Sequence, residues 1–316
     1  MAMPQPARVS GDFTLGEAPN LPASRAFPQG GQPSPPWFTV GDATALPTRH
    51  NNSFDAKPVK LSILMAVYNE ERTITRVIDE ILKARCPCEI ELIVVDDGST
   101  DRTPILLSRV DDPRVVVFHH PVNQGKGAAV LNAASLASGT YVLPFDADME
   151  YEPEDIPKVL EPVLKGRCEV VYGARLFGCN TVYQTYLYAV GNRLLTRMAN
   201  ILFNAHLTDL HTCLKLMPLV MLKGLNLREK GFGLDSEITA SLLRQGIRPF
   251  EVPISYYGRS HAEGKKIKWR DAVACARILL RVRLQARSGS EPASPRQGED
   301  ESSRVAIAEP NKAVTG

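Results

Sequence analysis

The chain has 316 residues, 44% of them apolar and 23% charged, with a formal net charge of +2. That near-neutral balance excludes wholesale nucleic-acid binding, which needs a strong basic excess. No run of about 18 apolar residues occurs, so no bilayer-spanning helix is predicted, and no basic segment followed by an apolar stretch marks a secretory signal. Six cysteines stand at positions 86, 88, 168, 179, 213 and 275 without CxxC pairing, the usage of reduced cytosolic thiols. Cys86-Pro87-Cys88 offers only two adjacent ligands and no His-rich partner, so no metal is expected there.

Residues 1–57 are rich in Pro, Gly, Ser and Ala, and residues 288–316 in Ser, Glu, Pro and Arg; neither has apolar periodicity. Both are expected to be disordered tails, because they bury too little surface to offset their ordering entropy. Between them, residues 58–287 form one domain. Leu61 to Val67 is an apolar run of the kind that makes a strand buried on both faces. It ends at Tyr68-Asn69-Glu70-Glu71, where Asn69 is expected to cap a helix opened by acidic residues. That helix carries the stripe Ile74, Val77, Ile78, Ile81, Leu82. Ile90 to Val95 is a second strand, ending in Asp96-Asp97-Gly98-Ser99-Thr100-Asp101; Val115 to Phe118 is a third, followed by Asn123-Gln124-Gly125-Lys126-Gly127 and an Ala-rich helix. Thr140 to Phe145 is a fourth, ending on Asp146, and Glu169 to Tyr172 a fifth. Alternation of this kind predicts an α/β fold, with a mostly parallel central sheet and helices on both faces. Ligands in such sheets sit beyond the carboxyl ends of the strands, where all these polar motifs fall.

Asp146 and Asp148 place two carboxylates one residue apart directly after a buried strand. Close like charges repel unless a cation lies between them, and Mg²⁺ or Mn²⁺ suits oxygen ligands shared with substrate phosphates. Glu150 offers a further oxygen; the plainer reading is an acidic turn leading into a helix at Pro153. At the second strand one aspartate is expected to be structural. Asp97, lying further out, is the one expected to contact a ligand, while Ser99 and Thr100 serve equally well as helix caps. Gly125-Lys126-Gly127 lacks the spacing of a nucleoside-triphosphatase loop, yet Lys126 between two glycines opening a helix can approach an anion through charge and backbone N–H groups.

Taken together, Ala66-Val67-Tyr68-Asn69-Glu70, Val95 to Asp101, Asn123 to Gly127 and Asp146-Ala147-Asp148 resemble, in order and spacing, the family 2 glycosyltransferases. Within that family the chain is similar to polyprenol-phosphate sugar transferases such as the dolichol-phosphate mannosyltransferases, over residues 60 to 285. The resemblance implies a Rossmann-like glycosyltransferase A fold. It also implies a nucleotide site lined by Val67, Tyr68, Glu70 and Asp97, with Lys126 and Asp146 beside the donor, and a metal site at Asp146, Asp148 and Glu150. Relatives often carry Gln where Glu150 stands. On the acceptor side, Gly173-Ala174-Arg175, Gly191-Asn192-Arg193, Thr208 to Lys215 and Tyr256 to Lys266 resemble that subfamily, implying an acceptor-phosphate site at Arg175, Arg193, Lys215 and Arg259. Taken singly, Arg193 reads equally as a solvated helix residue.

The implied reaction is an inverting transfer of mannose or glucose from GDP-mannose or UDP-glucose to a polyprenyl or dolichyl phosphate, with Mg²⁺ or Mn²⁺ as cofactor and Asp148 central to catalysis. A hydroxyl acceptor would instead need a general base, for which Asp209 is the nearest candidate and His211 the next. Tyr183 to Phe203 and Trp269 to Leu284 mix apolar residues with arginines, which fits helices lying at a membrane surface or against a membrane subunit or, alternatively, packing on the sheet. The expected location is cytoplasmic, peripheral on the inner face of the membrane. The competing readings are a family member acting on a soluble hydroxyl acceptor, a catalytically silent sugar-nucleotide-binding module, and a nucleotidyltransferase, whose Gly-rich N-terminal loop is missing.

Overall fold

The computed structural model describes residues 59–175, 181–182, 186–259 and 269–285. The predicted tails lie outside these residues, as does the stretch 260–268. Strand β1 (Lys60–Val67) is followed by helix α1 (Ile74–Lys83), β2 (Glu89–Asp96), α2 (Thr103–Leu107), β3 (Val115–His119), α3 (Lys126–Leu136) and β4 (Tyr141–Pro144). A 3₁₀ turn at Pro153–Asp155 leads into α4 (Ile156–Leu164), β5 (Val171–Ala174), β6 (Thr181–Val182) and α5 (Tyr186–Phe203). Then come β7 (Lys215–Pro218), α6 (Leu219–Gly224), α7 (Leu234–Arg244), β8 (Phe250–Pro253), β9 (Tyr256–Tyr257) and α8 (Trp269–Leu284).

Seven strands form one sheet in the order β3-β2-β1-β4-β7-β5-β8. Strand β1 lies inside the sheet, and Leu61 to Met65 are all buried, the pattern of a strand covered on both faces. Side chains alternate between those faces. Leu61, Ile63 and Met65 pack with Ile74, Val77, Ile78 and Ile81 of α1 and Val159 and Leu160 of α4. Leu64, with Ile93 and Val95 of β2, meets Ala129, Val130 and Ala133 of α3 and Ile238 and Leu242 of α7. Each fully buried Leu or Ile stabilises the fold by roughly 1.5–3 kcal/mol. A third cluster joins Ala199 and Phe203 of α5, Leu243 of α7 and Ile278, Leu279 and Val282 of α8. Helices α5 and α8 therefore pack on α7.

The predicted strands β1 to β5 are present, and β1 pairs in parallel with β2 and β4, as β2 does with β3. Two features differ from expectation. Strand β7, unread in the sequence, inserts between β4 and β5 and runs antiparallel to both. Asn69 does not cap α1, whose N-terminal residue Thr73 makes no side-chain cap. Instead Asn69 takes φ 54° and its Oδ1 accepts the Thr100 N–H at 2.8 Å, tying the end of β1 to the turn after β2. Asn tolerates that left-handed conformation better than most residues. Among the described residues no helix is long and apolar enough to cross a membrane.

Candidate active site

The carboxyl ends of β1, β2 and β4 converge, and the motif residues meet there. At the end of β2 both aspartates are buried. Asp96 accepts the Ser99 N–H at 3.0 Å and faces His119 Nδ1 at 3.0 Å. Asp97 Oδ1 accepts the Gln124 N–H at 2.8 Å and lies 2.7 Å from His120 Nδ1, while its Oδ2 accepts the Gly125 N–H at 2.8 Å. In this arrangement the Asp97 carboxylate, expected to contact a ligand, is turned inward and holds the loop that opens α3. Val67, expected to line a nucleotide site, has its side chain in the core and its carbonyl accepting the Asp97 N–H at 2.8 Å. Tyr68 and Glu70 are half-buried at the rim.

That loop sets Lys126. Gly125 has φ +102° and a Cβ there would stand 2.4 Å from the Lys230 carbonyl oxygen, so only glycine fits. The same carbonyl accepts the Ala128 N–H at 3.0 Å, so the first turn of α3 faces protein rather than an open anion site. Lys126 Nζ instead reaches 2.7 Å from Asp146 Oδ1. Burial pulls the ammonium's pKa down, but Asp146 and the neighbouring acids outweigh it and raise it well above the ordinary value.

Asp146 and Asp148 sit on a tight turn after β4 with Met149 at φ 62°. Burial, then Asp146 and Glu150, push the Asp148 carboxyl up to about 7, against the pull of Arg259. Arg259 Nη2 donates to Asp148 Oδ2 at 2.8 Å and its Nη1 to Glu70 Oε2 at 3.2 Å. The guanidinium of Arg259, expected at an acceptor phosphate, thus faces the carboxylates of the turn in this arrangement. Glu150 Oε2 accepts the Tyr256 hydroxyl at 2.6 Å and Oε1 the Arg259 N–H at 2.8 Å. Both Glu150 carboxylate oxygens thus have protein partners in this arrangement, and among the described residues no three His, Cys, Asp or Glu side chains converge on a point.

The donor chemistry of Asp146 and Asp148 fits Mg²⁺ or Mn²⁺, which commonly take one or two carboxylates and complete their shell with phosphates and water. Burial and the neighbouring carboxylates raise the Asp148 carboxyl despite the Arg259 guanidinium beside it. A sign follows. An unfolded carboxyl titrates near 4 and the folded one near 7, so between those values the folded state holds a proton that the unfolded state has lost. Stability of the metal-free chain is therefore expected to fall as pH rises through that window. Mn²⁺ should raise Tm more at about pH 8 than at about pH 5.5, since the cation binds the ionised form. Equal shifts at both pH values, measured by differential scanning fluorimetry, would refute this.

A second charge cluster centres on Arg175 and Asp209. Arg175, only 7% exposed, grips fully buried Asp209 with Nε to Oδ2 at 2.6 Å and Nη2 to Oδ1 at 2.8 Å. Its Nη1 donates to the Tyr151 hydroxyl at 3.2 Å, and its guanidinium carbon lies 4.8 Å from the centre of the Tyr256 ring. Burial alone would raise the Asp209 carboxyl, but Arg175 holds it far below the usual range. In this arrangement Asp209, expected as a base, and Arg175, expected as a phosphate ligand, satisfy each other. Lys215, the next expected phosphate ligand, is fully buried, donates to the Leu210 carbonyl at 3.1 Å and to the Thr212 carbonyl, and pairs with Asp235 at 3.1 Å.

His211 stands 3.1 Å from Asn192 Oδ1 through Nδ1 and 2.9 Å from Ser236 Oγ through Nε2, and burial pushes it down to about 4. It is a neutral hydrogen-bonding residue. Arg193 is exposed on α5. Of the four predicted phosphate ligands, Arg259 is the one that, among the described residues, pairs with the Asp146–Asp148 turn. Tyr151 was not singled out in the sequence, yet its hydroxyl accepts from both the Cys213 N–H and Arg175. Its place directly after Glu150 was the one available signal.

Residues 62–223 match the model of the family described as glycosyl transferase family 2. The chain belongs to glycosyl transferase family 2. Its relatives include a low-salt glycan biosynthesis hexosyltransferase of Haloferax volcanii, 29% identical over 66% of this chain and 51% of the relative. Another is the glycosyltransferase AglJ of the same organism, 30% identical over 64% of each. A third, an undecaprenyl-phosphate 4-deoxy-4-formamido-L-arabinose transferase of Proteus mirabilis, is 31% identical over 34% of each. The chain thus spans from about a third to under two thirds of these relatives. Among solved structures, glucosyl-3-phosphoglycerate synthase of Mycobacterium tuberculosis, with Mn²⁺, UDP and phosphoglyceric acid, superposes with TM-score 0.54. It is 21% identical, covering 74% of this chain and 81% of that one. At that identity the likeness shows the fold, glycosyltransferase A.

Proposed function

We propose that this family 2 member transfers a hexose, mannose or glucose, from GDP-mannose or UDP-glucose to a polyprenyl phosphate, with inversion at the anomeric carbon. The observation that carries this reading is the pair Asp146 and Asp148 at the end of β4, flanked by Lys126 and Arg259. These residues bring two carboxylates for a divalent cation and two cations for phosphate to one strand end. The metal, when bound there, supplies charge stabilisation for the leaving diphosphate. Asp146 and Asp148 hold that charge in place, Lys126 fixes Asp146, and Tyr68 and Glu70 line the rim towards the nucleotide.

The acceptor half of the reading gains support from what Asp209 and His211 do. A hydroxyl acceptor needs a base, and both bases anticipated from the sequence are engaged, Asp209 by Arg175 and His211 by Asn192 and Ser236. A phosphate acceptor is ionised already and needs orientation instead. The Proteus mirabilis relative is named for an undecaprenyl-phosphate reaction, which is the same acceptor class.

Helix α5 supports contact with a membrane surface. Thr196, Ala199 and Phe203 are its buried residues, while Leu187, Leu194 and Ile201, spaced by sevens on the opposite face, are 75%, 59% and 82% exposed. Arg193 and Arg197 border that outward stripe, the arrangement of a helix lying among anionic headgroups. The double change Leu187→Glu, Ile201→Glu should cut co-flotation with anionic vesicles by about tenfold while leaving Tm within a few degrees. Unchanged flotation would remove the membrane part of the reading.

The decisive experiment offers labelled GDP-mannose and UDP-glucose, with Mg²⁺ or Mn²⁺, and a short polyprenyl phosphate. Label in the organic phase is the expected result. Donor hydrolysis without lipid product would instead point to a soluble acceptor.

A further inference from the structure

Arg259 is bonded in a way unlike a structural arginine. A guanidinium docks most favourably as a two-pronged fork on one carboxylate, as Arg175 does on Asp209. Arg259 is divided among three. Its Nη2 reaches Asp148 Oδ2 at 2.8 Å, its Nη1 Glu70 Oε2 at 3.2 Å, and its Nε stands 3.7 Å from Glu150 Oε1. That Nε is buried and makes no hydrogen bond. Such a pattern belongs to a cation held by the summed charge of its surroundings rather than by matched donors and acceptors. Those surroundings include one of the two carboxylates that fit a divalent metal.

The two cations at the motif are anchored differently. Lys126 opens α3, where Gly125 and Gly127 press against the backbone of residues 229–231. Arg259 follows β9, a strand of two residues, and its one backbone tie in this cluster is the N–H to Glu150. Of the two, Arg259 is the one whose backbone is less tightly held at this site.

We infer that Arg259 is a cation surrogate at Asp148, which a divalent metal must displace and which then turns to the donor diphosphate. The inference rests on the reading of Asp146 and Asp148 as the metal site. Its consequence is coupling. Metal alone competes with the guanidinium and binds weakly, whereas metal and nucleoside diphosphate together bind tightly, because the diphosphate offers the displaced arginine a new anion. Metal entry without donor is thereby disfavoured.

The test is Mn²⁺ binding to the full chain, by calorimetry and by the electron paramagnetic resonance of free Mn²⁺, with and without UDP or GDP. Arg259→Gln is expected to bind Mn²⁺ alone about tenfold tighter than the unaltered chain and to lose most of the enhancement by nucleotide, a size usual for coupled sites. Mn²⁺ affinity that is unchanged or weaker in Arg259→Gln overturns the inference. If that variant fails to fold by circular dichroism, Arg259→Lys carries the test. A point charge cannot span Glu70 and Asp148 together, so tighter Mn²⁺ binding is again expected, and equality again overturns. Asp148→Asn separates the two levels. Mn²⁺ affinity lost in Asp148→Asn but unaltered in Arg259→Gln rejects the surrogate role alone. Affinity unaltered in Asp148→Asn rejects the metal site and the inference with it.

Discussion

Asp148→Asn is expected to lower kcat/KM for sugar transfer by about a thousandfold or more, the scale of roughly 4 kcal/mol of lost leaving-group stabilisation. The same change should leave the metal-free fold intact or raise its Tm. The Asp148 carboxyl is pushed up to about 7 by burial and by Asp146 and Glu150, so a neutral isostere removes repulsion the folded state otherwise bears. Arg259 keeps Glu70 and Glu150 as neighbours in that variant. Activity lost while stability is gained is the signature of a group retained for chemistry. Steady-state kinetics and a thermal melt on the same preparation decide it. Full activity would remove Asp148 from the mechanism, and a large drop in Tm would make its role structural.

Asp209→Asn is expected to act the other way, through stability first. Removing one partner of a buried pair leaves the other charge uncompensated, at a cost of about 3–5 kcal/mol. For a domain of this size that is a fall in Tm of roughly 6–20 °C. Transfer activity should fall with it, because Arg175 lies over Tyr256, whose hydroxyl holds Glu150 beside the metal turn. If Asp209 were a general base, activity would vanish with Tm unchanged, and that result would restore the base assignment. The double change Arg175→Met, Asp209→Leu separates charge from packing, since removing both charges together should recover much of the lost stability. The pH dependence has its own sign. A carboxyl depressed in the folded state adds stability above its unfolded pKa near 4 and loses it as pH falls further. This pair's contribution should therefore persist through the neutral range and fail only in acid.

These expectations mark where sequence reading served well and where it did not. The central strands were legible because an unbroken run such as Leu61 to Val67 can be buried on both faces only within a sheet. The α1 stripe was legible because Ile74, Val77, Ile78 and Ile81 recur at helical spacing, and all four are buried. Strand β7 was not legible. Its four residues are too short for a periodic signal, and its antiparallel insertion depends on β4 and β5 being already in place. The polar residues after Gly173 resembled a phosphate site because each carries the right charge. Yet Arg175 and Lys215 meet carboxylates 34 and 20 residues away in the chain, and those partners consume them.

What the amino-acid order by itself determined is the alternation of buried strands and amphipathic helices, the family, and the placing of polar motifs at strand ends. Those follow from local rules, since burial pattern and spacing act over a few residues at a time. What only the tertiary structure decided is which ion meets which. Arg259 finds Asp148 across 111 residues of chain, and Asp97, which looked outward, closes on the loop at Gln124 and Gly125. A charge in a sequence has a sign but no partner. Electrostatic energy depends on separation and burial, and both come into being only when the chain has folded.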